Sequence, residues 1–218
     1  MRRISGMDPG IAMLREKTNT EEVDYGFVMD CLKSYMNPRV KLHHLLKIGS
    51  LIRVKKGIYV FGRPFARRPY SLEVLANMIY GPSYISLEWA CQYYGLIPEK
   101  VTTITSVTTQ RSRRYHTPLG LFTYNHIHSA LFPIGFTLVS VSENQQALIA
   151  TKEKALSDLL IVRRGTISSK KHLQEILFED LRIEEEDVER LDLELLKAIY
   201  QAHPHKAIKY LIQCRECP

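Results

Sequence analysis

Hydrophobic residues recur at helical spacing near both ends of the chain and at alternate positions in its middle. Helices are therefore predicted at 27–35, 39–48, 72–79, 87–94, 152–162, 170–178, 188–202 and 205–213. Strands rich in Thr, Val, Ile, Phe and Tyr are predicted at 51–55, 58–61, 101–109, 121–127, 136–141 and 147–150. Central strands flanked by helices predict an α+β fold.

The pattern between residues 37 and 49 predicts a helix with one apolar face. Asn37 is a capping residue, and Pro38 at the first helical position loses no hydrogen bond that the helix needs. Leu42, Leu45 and Leu46 share a face at 100° per residue. Gly49 is typical of a helix end.

A basic hairpin is predicted directly after this helix. Ile52 and Val54 alternate with basic residues, which indicates a strand, and Ile58 to Phe61 forms the return strand. Lys56 and Gly57 make the turn, because Gly57 can adopt a positive φ. Two helices followed by a basic hairpin have the element order of a winged helix-turn-helix.

Four segments are predicted along the chain. Residues 1–23 are polar, with a short possible helix at 11–17, and are expected to form a loosely held arm. Residues 24–62 form the winged helix-turn-helix, and the proline-containing segment 63–69 is a linker. Residues 70–218 form a mixed α+β C-terminal domain that ends in helices, with predicted helix caps at Ser71, Ser86 and Thr151.

Composition favours a cytoplasmic protein with a substantial core. With 45% hydrophobic residues among 218, the chain can bury a core, yet it has no apolar run near 18 residues and no signal-like start. Cys31 and Cys91 lie on apolar helix faces and are expected to be buried. Cys214 and Cys217 form a C-x-x-C without a second ligand pair, so no metal or other cofactor is predicted.

Charge is distributed unevenly, although the formal total is +7. Between Asp30 and Glu73 there is no acidic residue, and residues 175–194 hold many. The acid-free window contains these basic residues: Lys33, Arg39, Lys41, Lys47, Arg53, Lys55, Lys56, Arg63, Arg67 and Arg68. A folded stretch of one sign favours a polyanion, and double-stranded DNA is the natural candidate.

Two groups of side chains are predicted to contact DNA. The helix is expected to carry base choice through Arg39, Lys41, His43, His44 and Lys47. The hairpin is expected to touch phosphate through Arg53, Lys55 and Lys56. Arg2 and Arg3 could also meet phosphate.

A second basic cluster, Arg111, Arg113 and Arg114, lies in another acid-free stretch, 100–142, and is predicted between strands. It could contact a protein partner, RNA or more DNA, or be a solvated hairpin tip. The aromatic residues Tyr84, Trp89, Tyr93 and Tyr94 are expected to pack in the core.

Other candidate residues give no catalytic pattern. His126 and His128 share a strand face without a third ligand. Glu153 suits a helix start, and Asp158 is expected at the surface or in a helix contact. No phosphate-binding loop or hydrolase motif is present, so the protein is predicted not to be an enzyme.

Several stretches match a known pattern, at 38–62, 75–90, 94–99, 105–111 and 149–158. The most specific are Tyr84-Ile-Ser-Leu-Glu88 and Glu153-Lys-Ala-Leu-Ser-Asp158. On these motifs the chain resembles the AbiEi family of antitoxins from type IV toxin–antitoxin, or abortive infection, systems of phage defence. One departure is Thr151-Lys152 where the family usually has Thr-Pro, a mild change because Pro is favoured there rather than required.

The resemblance implies an N-terminal winged helix that represses its own operon by binding promoter DNA. It also implies a C-terminal domain that counters a nucleotidyltransferase toxin (AbiEii-type) without a stable complex. Arg111, Arg113 and Arg114 are the first candidates for the antitoxin surface. Two alternatives stay open: a nucleic-acid-processing enzyme targeted by a winged helix, which would need clustered carboxylates, and a ligand-responsive transcriptional regulator without a toxin, which would need a deep apolar pocket.

Overall fold

The computed structural model describes residues 7–143, 145–163 and 165–216, which form ten α-helices, one π-helical segment and two β-sheets. The predicted mixed α+β class is confirmed. The helices are α1 Pro9–Lys17, α2 Tyr25–Cys31, α3 Pro38–Lys47, α4 Leu72–Ile79, α5 Leu87–Tyr93, α6 Lys152–Val162, α7 Lys170–Gln174, α8 Glu185–Glu189, α9 Leu193–Ala202 and α10 Lys206–Glu216, with the π-helical segment at Glu175–Asp180. The strands are β1 Glu22–Asp24, β2 Leu51–Lys55, β3 Ile58–Phe61, β4 Ser83–Ile85, β5 Ile104–Thr108, β6 Arg113–Thr117, β7 Gly120–His126, β8 Phe136–Ser142 and β9 Gln145–Ala150.

The N-terminal helices α1, α2 and α3 pack on a three-stranded antiparallel sheet of order β1-β3-β2. The side chain of Asn37 accepts a hydrogen bond from the N–H of Val40 at 3.3 Å, so the predicted cap of α3 is confirmed. Gly57 adopts a φ of 90° in the β2–β3 turn, as its position predicted. We call the following residues the smaller core: Ile11, Leu14, Val23, Val28, Cys31, Leu32, Leu42, Leu45, Leu51, Tyr59 and Phe61.

The expectation of a loose N-terminal arm is wrong for residues 7–23. Asp8 caps helix α1, since its side chain accepts from the N–H of Gly10 at 2.8 Å, and the helix buries Ile11 and Leu14 completely. Arg15 forms a buried ion pair with Glu21. The polar sequence hides this packing because only a few apolar residues of α1 meet the core. Arg2 and Arg3 lie outside the described residues.

The second sheet has the order β6-β7-β5-β4-β9-β8 and mixes parallel with antiparallel pairs. Tyr84 of β4 donates a hydrogen bond to Asp158 of α6, whereas Tyr124 of β7 donates to the carbonyl of Ala76 in α4. Tyr124 pairs with Ser106, and Ser106 pairs with Ile85, so these three residues lie on one face of the sheet. Tyr84 directly precedes Ile85 and therefore lies on the other face. Since adjacent residues of a strand point to opposite faces, helices cover both faces of this sheet.

Several predicted local features of the C-terminal part need correction. Arg113 and Arg114 do not lie at a hairpin tip, because they belong to the edge strand β6, which pairs with β7. Ser86 makes no side-chain cap for α5; its hydroxyl donates to Asp158 instead. The predicted bounds of α6 and its Thr151 cap are confirmed.

None of the helices in the described ranges is long and apolar enough to cross a bilayer.

The β1-β3-β2 sheet is shared between two cores. Tyr59 and Phe61 belong to the smaller core, whereas Val54, Ile58 and Val60 pack with the residues of the second sheet and its helices, which we call the larger core. All residues of β3 are buried, so this strand lacks the polar alternation of a solvated sheet. The two parts of the chain are therefore packed together rather than merely connected.

Segment 63–69 is held in place and does not act as a free linker. The carbonyl of Phe65 accepts from Arg15 Nε at 2.9 Å, and Glu21 Oε1 accepts from the backbone N–H groups of Arg67 and Arg68 at 3.1 and 3.3 Å. Arg68 also donates to the carbonyl of Glu143, between β8 and β9, at 2.5 Å. These contacts anchor the segment to both parts of the chain.

A buried carboxylate, Glu22 of β1, also joins the two parts. Its oxygens accept hydrogen bonds from the backbone N–H of Ser71 and from Gln145 Nε2, the latter at 2.6 Å. Burial raises the pKa of Glu22, and the donated hydrogen bonds oppose this only in part. Glu22 therefore bridges the first sheet, the start of α4 and the second sheet.

Candidate nucleic-acid interface

Helix α3 presents an open face of basic and imidazole side chains. Leu42 and Leu45 are buried on its inner side, as the helical period predicted. Its exposed residues include most of those predicted to choose bases, together with an apolar one: Arg39, Val40, His43, His44 and Lys47. Val40 is 63% exposed. This face can offer both hydrogen bonds and an apolar contact to a ligand.

Lys41 is not part of that open face. Its Nζ donates to Asp8 Oδ2 at 2.6 Å, and its side chain is only 16% exposed. Burial by itself would raise the pKa of Asp8, but hydrogen bonds from Lys41 and the Gly10 N–H outweigh burial and hold that pKa below its usual value. His44 Nε2 lies 3.8 Å from the same carboxylate oxygen. Lys41 thus fastens α3 to α1.

The β2–β3 hairpin divides its predicted phosphate contacts into two groups. Arg53 and Lys56 are exposed. Lys55 turns inward instead: its Nζ donates to the carbonyl of Ile79 at 2.7 Å and lies 4.4 Å from the ring centre of Tyr115. Lys55 therefore anchors the hairpin to α4 and β6. Of the three predicted phosphate contacts, Arg53 and Lys56 are the ones that are open to an anion.

Helix α3 and the hairpin turn are linked through Tyr25. Arg39 Nε donates to the Tyr25 hydroxyl at 3.2 Å, and the N–H of Tyr25 donates to the carbonyl of Gly57 at 2.8 Å. Because one residue contacts both elements, α3 and the turn lie next to each other at the surface. The exposed basic residues of α3 and of the hairpin turn thus form adjacent parts of one surface.

The second basic cluster is split by the alternation of β6. Arg113 shares a strand face with Tyr115, whereas Arg114 points to the other face. On that other face a groove of about 840 Å³ runs along the second sheet. The residues lining it include Glu88, Thr103, Thr105, Arg113, Arg114, Thr123 and Asn125. The groove is polar, with two arginines and one carboxylate among these residues.

The larger core contains a buried ion pair that the sequence pattern did not predict. Lys154 Nζ donates to Asp158 Oδ1 at 2.6 Å, and neither side chain has any exposed surface. The second carboxylate oxygen accepts from the Ser86 hydroxyl at 2.8 Å and the Tyr84 hydroxyl at 3.1 Å. Burial raises the pKa of Asp158, and Lys154 and the two hydroxyls counteract it. The i,i+4 spacing of a lysine and an aspartate inside an apolar helix was the available signal.

The buried pair joins the two motifs that carry the family resemblance. Tyr84 and Ser86 belong to one motif, and Lys154 and Asp158 belong to the other. Asp158 is thus a buried helix contact rather than a surface residue. Glu153 is also buried, and its Oε1 accepts from the backbone N–H of Asp192 at 3.1 Å, so it ties α6 to the start of α9.

The remaining candidate residues have structural partners. Tyr84 is buried as predicted, whereas Tyr93 is 46% exposed and stacks on Trp89 with ring centres 5.5 Å apart. His128 stacks on His203 at 4.4 Å. Within the described ranges, no group of three or more His, Cys, Asp or Glu residues is placed to hold a metal ion.

The predicted burial of Cys31 and Cys91 is confirmed. Cys31, Cys91 and Cys214 are all buried, and each carries a free thiol. Burial raises the pKa of all three thiols, which favours the unreactive protonated form. Cys217 lies outside the described residues.

Comparison with known proteins adds no relative from which the role of this surface could be transferred. Neither a scan against models of protein families nor a search of curated proteins finds a match to this chain. The features that bear on function are therefore the open basic face of α3, the adjoining hairpin turn and the polar groove beside β6.

Proposed function

We propose that the protein is a DNA-binding repressor of its own operon, with an N-terminal winged helix-turn-helix formed by α1 to β3. The open face of α3 is the observation that supports it most. Four exposed side chains there can donate to bases or phosphates, and no acid occurs between Asp30 and Glu73. The element order α1-β1-α2-α3-β2-β3 supports the same assignment.

The proposed roles follow from exposure. Arg39, His43, His44 and Lys47 contact base edges from α3 in the major groove. Val40, exposed among them, suits the methyl group of thymine. The hairpin acts as the wing.

In that wing Arg53 and Lys56 meet phosphates. Lys41 and Lys55 hold the two elements in place and are withdrawn from the proposed set of contacts, because both are half-buried and their ammonium groups are held by Asp8 and by the carbonyl of Ile79.

We further propose that the C-terminal part counters a nucleotidyltransferase toxin of the AbiEii type without itself being an enzyme and without forming a stable complex. The family resemblance motivates this role. The polar groove beside β6 is the surface that suits it. Arg113 and Arg114 of the predicted cluster both border the groove, and Arg114 lies on the strand face that it occupies. Arg114 can offer two N–H groups to a carboxylate or a phosphate.

Binding of the full chain to duplex DNA from upstream of its own gene tests the repressor role. Lys47→Ala should lower discrimination against a changed base pair by about 1–3 kcal/mol at one position. Lys56→Ala should weaken all sequences alike and reduce the salt slope by about one. Lys209→Ala, at an exposed lysine of α10, is the charge-matched control. Equal loss with all three variants would refute a localised interface.

Growth rescue tests the antitoxin role separately. The toxin is expressed from an unrelated promoter, so repression does not affect its level. Arg114→Ala should rescue growth less than the wild type while it folds and binds operator normally. Lys56→Ala should rescue fully. Full rescue by Arg114→Ala would remove the groove from the proposal.

A further inference from the structure

A continuous path of contacts leads from α3 across the wing to the second sheet. It begins at Arg39, whose guanidinium meets the Tyr25 hydroxyl, and continues through the hydrogen bond from Tyr25 to Gly57 in the wing turn. From the wing, Lys55 reaches over the ring of Tyr115 in β6. Strand β6 is therefore the element that adjoins the hairpin on this side.

The side chain that continues this path is Arg113. It lies two residues before Tyr115 on the same face of β6, about 7 Å further along the strand. Tyr80 marks the same place: its ring lies 5.8 Å from Tyr115, and its hydroxyl donates to the carbonyl of Arg111 at 3.1 Å. Arg111 and Arg113 are both exposed. Two further positive charges thus follow the wing in space, although more than fifty residues separate them from it in sequence.

The charge along this path is almost entirely of one sign. Residues 100–142 contain no acid, and neither does the wing. Two acids adjoin the path. Asp24 lies at the start of α2, where its Oδ1 accepts from the N–H of Phe27, and Glu88 lines the groove that Arg113 also borders. The charge and continuity of this surface fit the regular row of phosphates of a duplex better than they fit an isolated anion.

We propose that Arg113 and Arg111 extend the DNA interface by contacting backbone phosphates that flank the operator, beyond the wing. Phosphates follow one another about 3.4 Å apart along the helix axis of each strand. A displacement of about 7 Å from Tyr115 to Arg113 thus corresponds to about two additional base pairs. The contacts add affinity and salt dependence without sequence choice. This inference rests on the proposed DNA-binding function.

Hydroxyl-radical footprinting of the full chain on its upstream DNA tests the extension directly. The wild type should protect a few backbone sugars outside the stretch whose protection depends on Lys47 and Lys56. The double variant Arg111→Ala/Arg113→Ala should lose only this flanking protection. On a duplex that includes the flank its salt slope should fall by about one to two, and on a duplex trimmed to the core site it should match the wild type.

Lys209→Ala is again the charge-matched control and should leave both duplexes unaffected. Unchanged flanking protection in the double variant overturns the extension, as does equal weakening on the trimmed and the extended duplex. Failure of the DNA-binding function itself is distinguishable, because the wild type would then protect no specific site at all. The proposal would also be overturned if replacing Arg113 weakened binding to single-stranded RNA and left binding to duplex DNA unchanged.

Discussion

Asp158 is a fully buried carboxylate with three side-chain hydrogen-bond donors. Its carboxylate lies among apolar residues and accepts from Lys154, Ser86 and Tyr84. Taking one partner from a buried ion pair leaves an uncompensated charge, which costs more than the pair contributes. The pair therefore fixes the position of α6 against β4. A change in Tyr84 or Ser86 of the first motif also removes a hydrogen bond from Asp158 of the second.

Replacing Lys154 by Met should lower the free energy of unfolding by about 3–5 kcal/mol, because the Asp158 charge then loses its counter-ion. Urea unfolding followed by circular dichroism measures the loss. Lys152→Met is the matched control in the same helix, where the ammonium is exposed and donates to the carbonyl of Arg190. The control should lose less than about 1 kcal/mol. Similar losses for the two variants would contradict the role of the pair.

Glu22 should impose a pH dependence of opposite sign to that of an exposed salt bridge. Its raised pKa means that the unfolded state releases this proton at lower pH than the folded state. Stability should thus fall as pH rises from the ordinary glutamate value to the raised one. Glu22→Gln should remove this fall, so the difference in unfolding free energy between variant and wild type should change across that interval. A constant difference would contradict the assignment.

At the scale of elements, sequence periodicity predicted the long or self-contained pieces and missed those that depend on distant partners. Helix α3, the β2–β3 hairpin and α6 have their own caps and turns, so local rules suffice. Strands β1 and β4 have only three residues each, and they exist because β3, β5 and β9 pair with them. No local signal specifies such a pairing.

The candidate interface shows the same division. Exposure of Arg39, His43, His44 and Lys47 follows from the helical period and was predictable. Lys41 and Lys55 were misassigned because their partners, Asp8, Ile79 and Tyr115, lie far away in sequence. A lysine in a basic patch gives no sign of whether a distant carbonyl or carboxylate already holds it.

The β2–β3 hairpin should therefore respond differently to two neighbouring substitutions. Lys55→Ala removes a hydrogen bond and a cation–π contact, so it should lower the unfolding free energy by about 1–2 kcal/mol. Lys56→Ala should leave stability within about 0.5 kcal/mol, because its side chain is exposed. Thermal or urea unfolding of the two variants provides the comparison. Equal stability of both would show that the Lys55 contacts contribute nothing.

At the scale of the whole molecule, two cores share one sheet, so the chain should unfold as a single cooperative unit. Trp89 is the chain's one tryptophan and packs against the larger core, so its fluorescence reports that part alone. Far-ultraviolet circular dichroism reports the helices of both parts. The two signals should give the same urea midpoint. An earlier transition seen only by circular dichroism would show that α1 to α3 unfold independently.

The two-sided burial of the β1-β3-β2 sheet limits how such a protein can be recombined. A chimera joined at residues 63–69 would set Val54, Ile58 and Val60 against the helices of an unrelated C-terminal part. Unless that part offers a complementary surface, the graft would leave voids or clashes at the seam. An exchange that keeps a native fold should therefore carry α4 together with β2 and β3, and a change that is meant to spare the fold is better confined to the outward side chains of α3.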